Sequence, residues 1–214
     1  MTLDRELVVR AALDLLDAEG LDGLTLRKIA AALNVKAPAL YWHFQNKQQL
    51  LDEMATQMAR DAVSTAEPGD ASWPEQLREL ATGMRSMLRS RRDGARLFGG
   101  TAMTDTAPVV AGEPLLQSLI DAGADLRSAV AATRTMSCFV IGFVLEEEGA
   151  VSPAGARDPR FDPEARRERI DAERFPLTAA SSEYLFGNFD QSFTDGVELI
   201  IASVAARLGT PANN

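Results

Sequence analysis

Apolar residues recur every three or four positions along almost the whole of this 214-residue chain. The segment from Trp73 to Leu88 illustrates the pattern, because its apolar residues fall at positions 73, 77, 80, 84 and 88. This spacing puts side chains on one face of an α-helix, whereas a half-buried strand alternates apolar and polar residues. No strand alternation and no internal repeat is visible. The sequence therefore predicts an all-α fold.

The composition is that of a soluble globular protein, with 46% hydrophobic and 25% charged residues. No apolar run reaches the roughly 18 residues that a membrane-spanning helix needs. The first ten residues, MTLDRELVVR, mix acids and bases and lack the apolar region of a signal peptide. The single cysteine, Cys138, excludes an intramolecular disulfide bond and suits a reducing compartment. We therefore expect a soluble protein of the cytoplasm.

Two stretches interrupt the helical pattern. Residues 66–70, AEPGD, predict a boundary between an N-terminal domain of residues 1–65 and a larger domain of residues 66–214. Residues 149–176 are rich in Pro, Gly, Asp and Arg, which predicts a mobile or irregular connection. Among the longer segments of the larger domain, helices are predicted over about 107–121, 128–148 and 189–208. The last two are so apolar that we expect them to be buried in a core or an interface.

The net charge of −9 at pH 7 is an average over the chain, and binding depends on where charge lies. Residues 24–51 contain no Asp or Glu, although acids flank this window on both sides. The window holds four cations and the only histidine of the chain, namely Arg27, Lys28, Lys36, Lys47 and His43. It coincides with the aromatic run from Tyr41 to Phe44, so it is a candidate surface for an anionic partner such as DNA.

Residues 25–44 have the spacing of a helix-turn-helix motif. Thr25 can cap a helix over residues 26–33, and residues 34–36 are short enough for a turn. Pro38 suits the first turn of a short next helix, where its missing N–H group costs nothing. In this motif the second helix enters the major groove of DNA with its N-terminal residues against the base edges. The sequence therefore predicts a double-stranded DNA-binding domain.

The second helix of the motif carries residues whose chemistry suits this role. Small side chains at Ala37 and Ala39 would let the backbone approach the DNA, beside Pro38. Tyr41 and His43 can donate hydrogen bonds to phosphate oxygens. We expect Ala37, Pro38, Tyr41 and His43 to share the outer side of this helix.

The aromatic residues also admit a structural interpretation, as core side chains of a three-helix bundle. For Phe44 that interpretation is favoured. For Tyr41 and Trp42 the DNA-facing interpretation is favoured, because a helix this short cannot bury every side.

The cations of the window divide in the same way. Arg27 can bond a guanine in bidentate fashion, and Lys47 adds charge at a helix N-terminus, which is itself an anion site. Lys28 and Lys36 can contact phosphates or can be ordinary solvated charges, and the sequence leaves both readings open.

The segment GLTLRKIAAALNVKAPALYWHFQNKQQLLDEMA, which begins at Gly23, resembles the DNA-binding domain of the tetracycline repressor (TetR) family. Its LYWH tetrapeptide followed by an Asn-Lys pair is far more specific than helix-turn-helix spacing alone. SRRDGARLFGGT at residues 90–101 and GFVLEEE at residues 142–148 are also similar to the family in place. The resemblance covers almost everything except residues 149–176.

This resemblance implies an all-helical homodimer that pairs through a four-helix bundle, built here from about residues 126–147 and 189–208. The family's repressors carry Gln and Thr at positions 37 and 39, and both touch bases. Ala37 and Ala39 cannot make those hydrogen bonds, so we expect retained phosphate anchoring and a changed base preference. The operator contacts that the resemblance implies come from Thr25, Arg27, Ala37, Pro38, Ala39, Tyr41, Trp42, His43 and Lys47.

The ligand site departs further from the tetracycline repressors, which bind a tetracycline–Mg²⁺ chelate with a His on the metal. That His position falls on Phe98, and a polar drug-binding position falls on Leu80. A phenyl ring cannot ligate Mg²⁺, and only Thr101 and Glu146 keep their residue type. We therefore expect no metal, no cofactor and an apolar or aromatic small-molecule effector. The expected lining is Leu80, Met84, Phe98, Thr101, Met103, Cys138, Phe139, Phe143 and Glu146.

Two alternatives remain at this site. The side chains of this site can fill the cavity so that no ligand binds. Cys138 is the only cysteine and lies in an apolar helix, so we expect it to be an inert core residue in either case. An open pocket near Met84 and Phe98 favours an effector, whereas a filled one favours regulation by a protein partner.

Three functions follow from these features. The favoured one is a ligand-responsive transcriptional regulator, most simply a repressor, that binds a palindromic operator as a homodimer. The second is an effector-independent DNA-binding protein controlled by a protein partner. The third, an enzyme, is disfavoured because His43 and Cys138 lie in different predicted domains and nucleophilic catalysis needs a base beside its nucleophile.

Overall fold

The structure, a computed structural model, describes residues 3–64, 71–151 and 156–209. Within these ranges the chain is helical, apart from an isolated antiparallel bridge between Val151 and Arg157. The expected all-α fold is therefore confirmed. The α-helices are α1 (Arg5–Gly23), α2 (Leu26–Ala32), α3 (Pro38–Tyr41), α4 (Lys47–Ser64), α5 (Trp73–Arg89), α6 (Gly94–Phe98), α7 (Ala107–Val110), α8 (Glu113–Asp121), α9 (Leu126–Ala150), α10 (Pro163–Glu168), α11 (Pro176–Phe186) and α12 (Phe189–Leu208), with a 3-10 helix at Pro159–Phe161.

The first four helices form a small bundle around what we call the first core. The carboxylate of Asp4 caps α1 by accepting a hydrogen bond from the Leu7 amide at 2.8 Å. Gly20 interrupts the helical geometry of α1 with φ of 75°. The largest side chains buried in the first core are Leu13, Leu16, Leu24, Ile29, Leu40, Phe44, Leu50 and Met54.

Of the remaining helices, α5, α6, α8 and α12 pack against α9. Ser72 and Glu75 form a capping box at the start of α5, with the Ser72 amide donating to Glu75 Oε2 at 2.9 Å. Apolar residues of α5, α8, α9 and α12 meet in the second core, which includes Leu77, Leu88, Leu119, Met136, Val140, Val144, Phe193 and Val197.

The turn between α5 and α6 joins the two parts of the molecule. Asp93 adopts the left-handed conformation with φ of 56°, and its carboxylate accepts a hydrogen bond from the Leu21 amide at 2.7 Å. A Cβ at Gly94 would lie 2.0 Å from the Leu88 carbonyl oxygen, so only glycine fits there. Leu97 of α6 then packs into the first core. The α1–α4 bundle is therefore held at a defined angle to the second core.

Several sequence predictions need correction. The helix expected over 107–121 is two helices, because the chain turns at Ala111 and Gly112 between α7 and α8. Residues 149–176 are not wholly irregular, since α10 lies among them and packs against α11, a helix that the sequence pattern did not reveal. The predicted domain boundary at 66–70 lies outside the described residues and stays a prediction.

Helix α9 is long and apolar enough, by length and composition alone, to cross a membrane, with a mean hydropathy of 1.6 over its most apolar stretch. This corrects the expectation that no segment of the chain reaches that limit. The central helix of a soluble protein passes the same test, and α9 packs against four other helices. Only 28% of the stretch is buried within the single chain, so much of its apolar surface faces outward.

Candidate nucleic-acid interface and effector core

Helix α3 is anchored to the first core by two fully buried side chains, Leu40 and Phe44, which lie four residues apart. This spacing fixes one face of the short helix inward and turns the opposite face to solvent. Tyr41 is 55% exposed and Trp42 is 88% exposed. The core interpretation is therefore confirmed for Phe44 and wrong for Tyr41 and Trp42.

The turn before α3 sets the orientation of the exposed face of α3. Asn34 takes the left-handed conformation with φ of 53°, and the Val35 amide donates to the Ala30 carbonyl at 2.9 Å. Pro38 is exposed at the first turn of α3, whereas Ala37 and Ala39 are half-buried and Ala37 packs against the first core. The expectation that Ala37 and His43 lie on the outer side was therefore only partly right, because both are half-buried.

Helix α2 supplies a second part of the same surface. The Thr25 hydroxyl oxygen caps α2 by accepting a hydrogen bond from the Lys28 amide at 3.3 Å. Arg27, Lys36 and Lys47 are exposed. The Lys28 ammonium forms an ion pair with Glu19 of α1 on the surface, and both interpretations of Lys28 stay open. The α1–α4 bundle thus exposes two aromatic rings and, within residues 27–47, the cations Arg27, Lys36 and Lys47.

The predicted effector-site residues divide into two groups. Leu80, Met84, Phe98, Phe139 and Phe143 are half-buried and pack against the second core, as the sequence predicts for an apolar lining. The Thr101 hydroxyl donates to the Phe98 carbonyl at 2.9 Å and closes the end of α6, and Met103 is half-buried in the loop that follows.

Cys138 and Glu146 form the second group, since both are exposed on the outside of α9. The expectation that Cys138 is inert core is therefore wrong for the single chain. Helix periodicity explains the error, because positions 136, 140 and 144 occupy the buried face of α9 and position 138 lies away from it.

The aromatic residues of the second core are in direct contact. The ring centroids of Phe139 and Phe143 are 5.6 Å apart, and those of Phe143 and Phe193 are 5.2 Å apart. The guanidinium of Arg85 lies 4.6 Å from the Phe193 ring centroid. Arg85 also forms ion pairs with Glu147 at 2.8 Å and with Asp190 at 2.7 Å. A cation and aromatic faces therefore meet beside the predicted effector residues.

Two grooves lie on other faces of the second core, and neither is lined by the predicted effector residues. One, of about 280 Å³, runs between α9 and α12 and is lined by apolar and hydroxyl side chains such as Ala131, Thr135, Leu199 and Val204. The other, of about 550 Å³, lies between α5 and α12, beside Arg85, Arg89 and Asp190.

Three acids at the end of α9 have different environments that the sequence did not reveal. Glu146 is exposed, whereas Glu147 is buried in its ion pair with Arg85. Glu148 accepts a hydrogen bond from the Ala95 amide at 3.3 Å, and its Oε2 is buried without a partner. Burial raises the pKa of Glu148 to about 7, and the neighbouring Asp93 charge acts in the same direction.

Ion pairs that join α1 to the turn after α5 and to α6 could not be found from the sequence. Arg91 pairs with Asp17 at 2.6 Å, and Arg96 pairs with Asp22 at 3.0 Å. The guanidinium of Arg96 lowers the pKa of the exposed Asp22 carboxyl through its hydrogen bond and its charge. The only sequence signal was the SRRDGAR segment itself, since its partners lie some 74 residues away.

The donor set does not fit a Mg²⁺ chelate. Phe98 packs against the second core, and the Thr101 hydroxyl is engaged with the Phe98 carbonyl. Within residues 3–64, 71–151 and 156–209, no three His, Cys, Asp or Glu residues come together in an arrangement that could hold a metal ion. Phe98 stands where the resemblance to the tetracycline repressors places the metal-binding His, and a phenyl ring has no lone pair to offer a metal ion.

A helix-turn-helix surface joined to a larger, aromatic-lined helical core defines a DNA-binding transcriptional regulator and not an enzyme. Residues 8–54 match the model for bacterial regulatory proteins of the tetR family, and residues 65–208 match the tetracyclin repressor-like C-terminal domain. The chain belongs to the TetR family of ligand-regulated transcriptional repressors.

Individual relatives agree with this assignment. The chain is 38% identical over 202 residues to the tetracycline repressor protein class A from transposon 1721 of Escherichia coli, covering 94% of this chain and 89% of that protein. It is 36% identical to a possible TetR family transcriptional regulator from Streptomyces coelicolor A3(2), with a TM-score of 0.82 and coverage of 95% of this chain and 99% of that one. The Streptomyces coelicolor protein ActR, in complex with actinorhodin, is 27% identical, with a TM-score of 0.85 and coverage of 98% and 100%.

Proposed function

We propose that this protein is a cytoplasmic repressor that binds a palindromic operator as a homodimer and is released by an apolar or aromatic small molecule. The observation that carries the DNA-binding part is the anchoring of α3 by Leu40 and Phe44, which leaves Tyr41 and Trp42 exposed. Such a face can enter the major groove of DNA, where phosphate contacts fix position and base contacts give selectivity.

Within this proposal the operator contacts divide by chemistry. Tyr41, His43 and Lys47 contact phosphate oxygens and hold the protein in register. Lys36 adds a further phosphate contact, and Lys28 can do so when its ion pair with Glu19 opens.

The base contacts come from other residues. Arg27 contacts a guanine edge. Ala37, Pro38 and Ala39 allow close approach and offer methyl groups to thymine. Thr25 shapes the surface through its cap on α2. Trp42, as the most exposed aromatic ring, packs on the DNA backbone.

The proposed homodimer rests on the outer faces of α9 and α12. Residues of α9 at alternating spacings of four and three are all exposed and mostly small, namely Ala131, Thr135, Cys138, Gly142, Leu145 and Gly149. That spacing is the one by which helices pack along a common seam. Leu199 of α12 is 70% exposed beside the groove between α9 and α12. A second copy would cover both surfaces, and two copies would place their α3 helices about one DNA turn, roughly 34 Å, apart.

The proposed effector is apolar or aromatic because of the lining. Leu80, Met84, Phe98, Phe139 and Phe143 supply apolar contacts, with Thr101 and Met103 at the adjoining loop. A related protein of this fold, ActR, has been solved in complex with the small molecule actinorhodin, which supports a small-molecule effector. An effector can release DNA only by binding more tightly to a state whose α3 spacing no longer fits the operator. Glu146 and Cys138, exposed on α9, would then take part only through the dimer.

A second candidate, regulation by a protein partner without an effector, is favoured by one observation. The rings of Phe139, Phe143 and Phe193 already pack against one another at centroid distances of 5.2 to 5.7 Å. A core filled in this way would leave no room for a ligand of drug size unless the rings move.

The experiment that separates these candidates begins with a duplex selected by the wild-type protein from a random-sequence pool. Binding to that duplex is then titrated with tetracycline plus Mg²⁺ and with planar aromatic compounds. Our proposal predicts release by an aromatic compound and none by tetracycline–Mg²⁺. Release by tetracycline–Mg²⁺ would overturn the effector assignment, and release by no compound would favour the protein-partner candidate.

A further inference from the structure

Glu53 of α4 is a buried carboxylate at the interface between the α1–α4 bundle and the loop that follows α6. Its Oε2 accepts hydrogen bonds from Arg5 Nη2 at 3.1 Å and from the Thr104 hydroxyl at 3.0 Å. Its Oε1 accepts a hydrogen bond from Arg60 Nη1 at 2.9 Å. Burial alone would raise the pKa of Glu53, but the bonds from Arg60, Arg5 and Thr104 outweigh it and lower the pKa.

A buried charge of this kind is not needed to stabilise a helix interface. Replacing buried ion pairs with apolar residues of similar volume is often neutral or stabilising, whereas removing one partner is costly. Glu53 lies among apolar neighbours on α4, since Leu50 and Met54 on either side of it are fully buried in the first core. The charge therefore points to a role in fixing the positions of its partners.

Toward the proposed DNA-binding surface, the partner of Glu53 is Arg5 at the start of α1. Arg5 Nη1 donates to the His43 carbonyl oxygen at 2.6 Å, immediately after the exposed pair Tyr41 and Trp42. The same guanidinium lies 4.5 Å from the ring centroid of Phe44. His43 lies two residues beyond Tyr41, the last residue of α3, so this contact fixes the turn that follows the C-terminal end of α3. Arg5 can bond both His43 and Glu53 because a guanidinium presents several N–H groups in one plane.

On the other side, the partner is Thr104 in the loop between α6 and α7. The Thr104 amide donates to the Thr56 hydroxyl oxygen at 2.9 Å, and its hydroxyl bonds Glu53. Arg60 also reaches the loop, through an ion pair with Asp105 at 2.8 Å. The loop starts at Gly99, directly after Phe98 at the end of α6, so it is continuous with the apolar residues of the second core.

We propose that Glu53 is a positioning residue for operator binding, which couples the loop after α6 to the recognition helix α3 through Thr104, Arg5 and the His43 carbonyl oxygen. The idea rests on the proposed function, because it supplies a route by which a change in the second core alters α3. When Thr104 moves away, Glu53 Oε2 loses a donor, Arg5 loses its fixed partner, and the end of α3 is no longer held. Glu53, Thr104 and Arg5 need not touch DNA themselves.

The test is a double-mutant cycle on DNA binding, because coupling along a chain of contacts is shown only by non-additive effects. The variants are Thr104→Val, which keeps the shape of the side chain, and Arg5→Met. Matched controls are Thr106→Val, exposed two residues along the same loop, and Arg10→Met, whose partners are Glu6 and Asp61 on the bundle surface. The probe is the duplex that the wild-type protein selects from a random-sequence pool.

We expect Thr104→Val and Arg5→Met each to weaken binding about fivefold or more, and the double variant to bind no more weakly than Arg5→Met alone. Glu53→Gln should also abolish any further effect of Thr104→Val, and both controls should bind as the wild type does. If Thr104 and Arg5 only stabilise the protein independently, the losses of affinity in Thr104→Val and Arg5→Met should instead multiply in the double variant. If Arg5→Met does not fold, Arg5→Lys serves in its place, since one ammonium group cannot reproduce the planar double contact.

Each outcome decides a specific point. A selected palindrome with non-additive effects supports the coupling through Glu53. A selected palindrome with multiplying effects overturns the coupling and leaves the proposed function standing. If the wild-type protein selects no palindrome, the proposed function is overturned and the positioning role falls with it.

Discussion

The ring of Phe139 on α9 lies directly against the backbone of Gly196 on α12, so that a Cβ at position 196 would come within 2.3 Å of Phe139 Cζ. The absent side chain lets the two helices approach at the point where the aromatic residues of the second core meet. The contact therefore helps to set the shape of the proposed effector site.

Gly196→Ala should destabilise the protein, although alanine favours a helix by about 1 kcal/mol over glycine. The steric cost of overpacking is about 1–3 kcal/mol and should prevail in thermal or denaturant unfolding. Gly83 of α5 is the matched control, since nothing lies within 4 Å of a Cβ built there. Gly83→Ala should stabilise, and equal effects at the two positions would contradict the close contact with Phe139.

Glu148 should make stability depend on pH near neutrality. The pKa of Glu148 is raised from 4.5 to about 7 in the folded protein, so the folded state favours the protonated carboxyl. The contribution of Glu148 to stability is therefore fully present below about pH 4.5 and is lost as the pH rises through about 7. Glu148→Gln should therefore raise the free energy of unfolding by about 1–2 kcal/mol near pH 8, after allowance for partial exposure, and change it little near pH 4.5.

The control for Glu148 is its neighbour Glu146, which is exposed on the same helix. Denaturant unfolding of Glu146→Gln should follow the wild type at both pH values. A Glu148→Gln variant whose stability difference does not change between these pH values would show that the carboxyl group is not buried as described.

The outer face of α12 should control the oligomeric state. Leu199→Arg places a charge on a 70%-exposed apolar position beside the groove between α9 and α12, where a second copy would have to bury it unpaired. Sedimentation at micromolar concentration should show a dimer for the wild type and a monomer for the variant. Val109→Arg, at an exposed apolar position on α7, should remain dimeric. A wild-type monomer would contradict the proposed dimer.

Two substitutions on the DNA-facing surface should have different consequences. Tyr41→Ala should weaken binding to all duplexes by a similar factor, because a phosphate contact carries little sequence information. Arg27→Ala should cost about 1–3 kcal/mol and also relax the preference at one base pair. Binding to a panel of single-base variants of the selected duplex measures both effects. An Arg27 variant with unchanged selectivity would exclude its contact with a base.

The all-α fold and the exposed face of α3 could be predicted from the sequence because local spacing determines them. The buried pair Leu40 and Phe44 and the exposed pair Tyr41 and Trp42 follow from helix periodicity once the short helix is recognised. The resemblance to the TetR family then identified the function class, which the family models confirm.

The contacts that connect the two parts of the molecule could not be predicted in this way. Arg5 and Glu53 are 48 residues apart, and nothing in the local sequence of either indicates the other. The sequence of Glu146 to Glu148 is typical of a solvated helix end. Each residue is rotated by about 100° from the one before it, so Glu146 is exposed whereas Glu147 and Glu148 face the protein. Cys138 was misplaced because the apolarity of α9 exceeds what the single chain buries.

The central claim is that α3 of each subunit reads one half of a palindromic operator. The most direct test is footprinting of the wild-type protein on the DNA that flanks its own gene, at fixed salt concentration because phosphate contacts make affinity depend on salt. We predict protection of a palindrome whose half-sites lie about one helical turn, roughly 34 Å, apart, and loss of that protection in Tyr41→Ala. Protection of a single half-site, or protection that Tyr41→Ala leaves unchanged, would contradict the account.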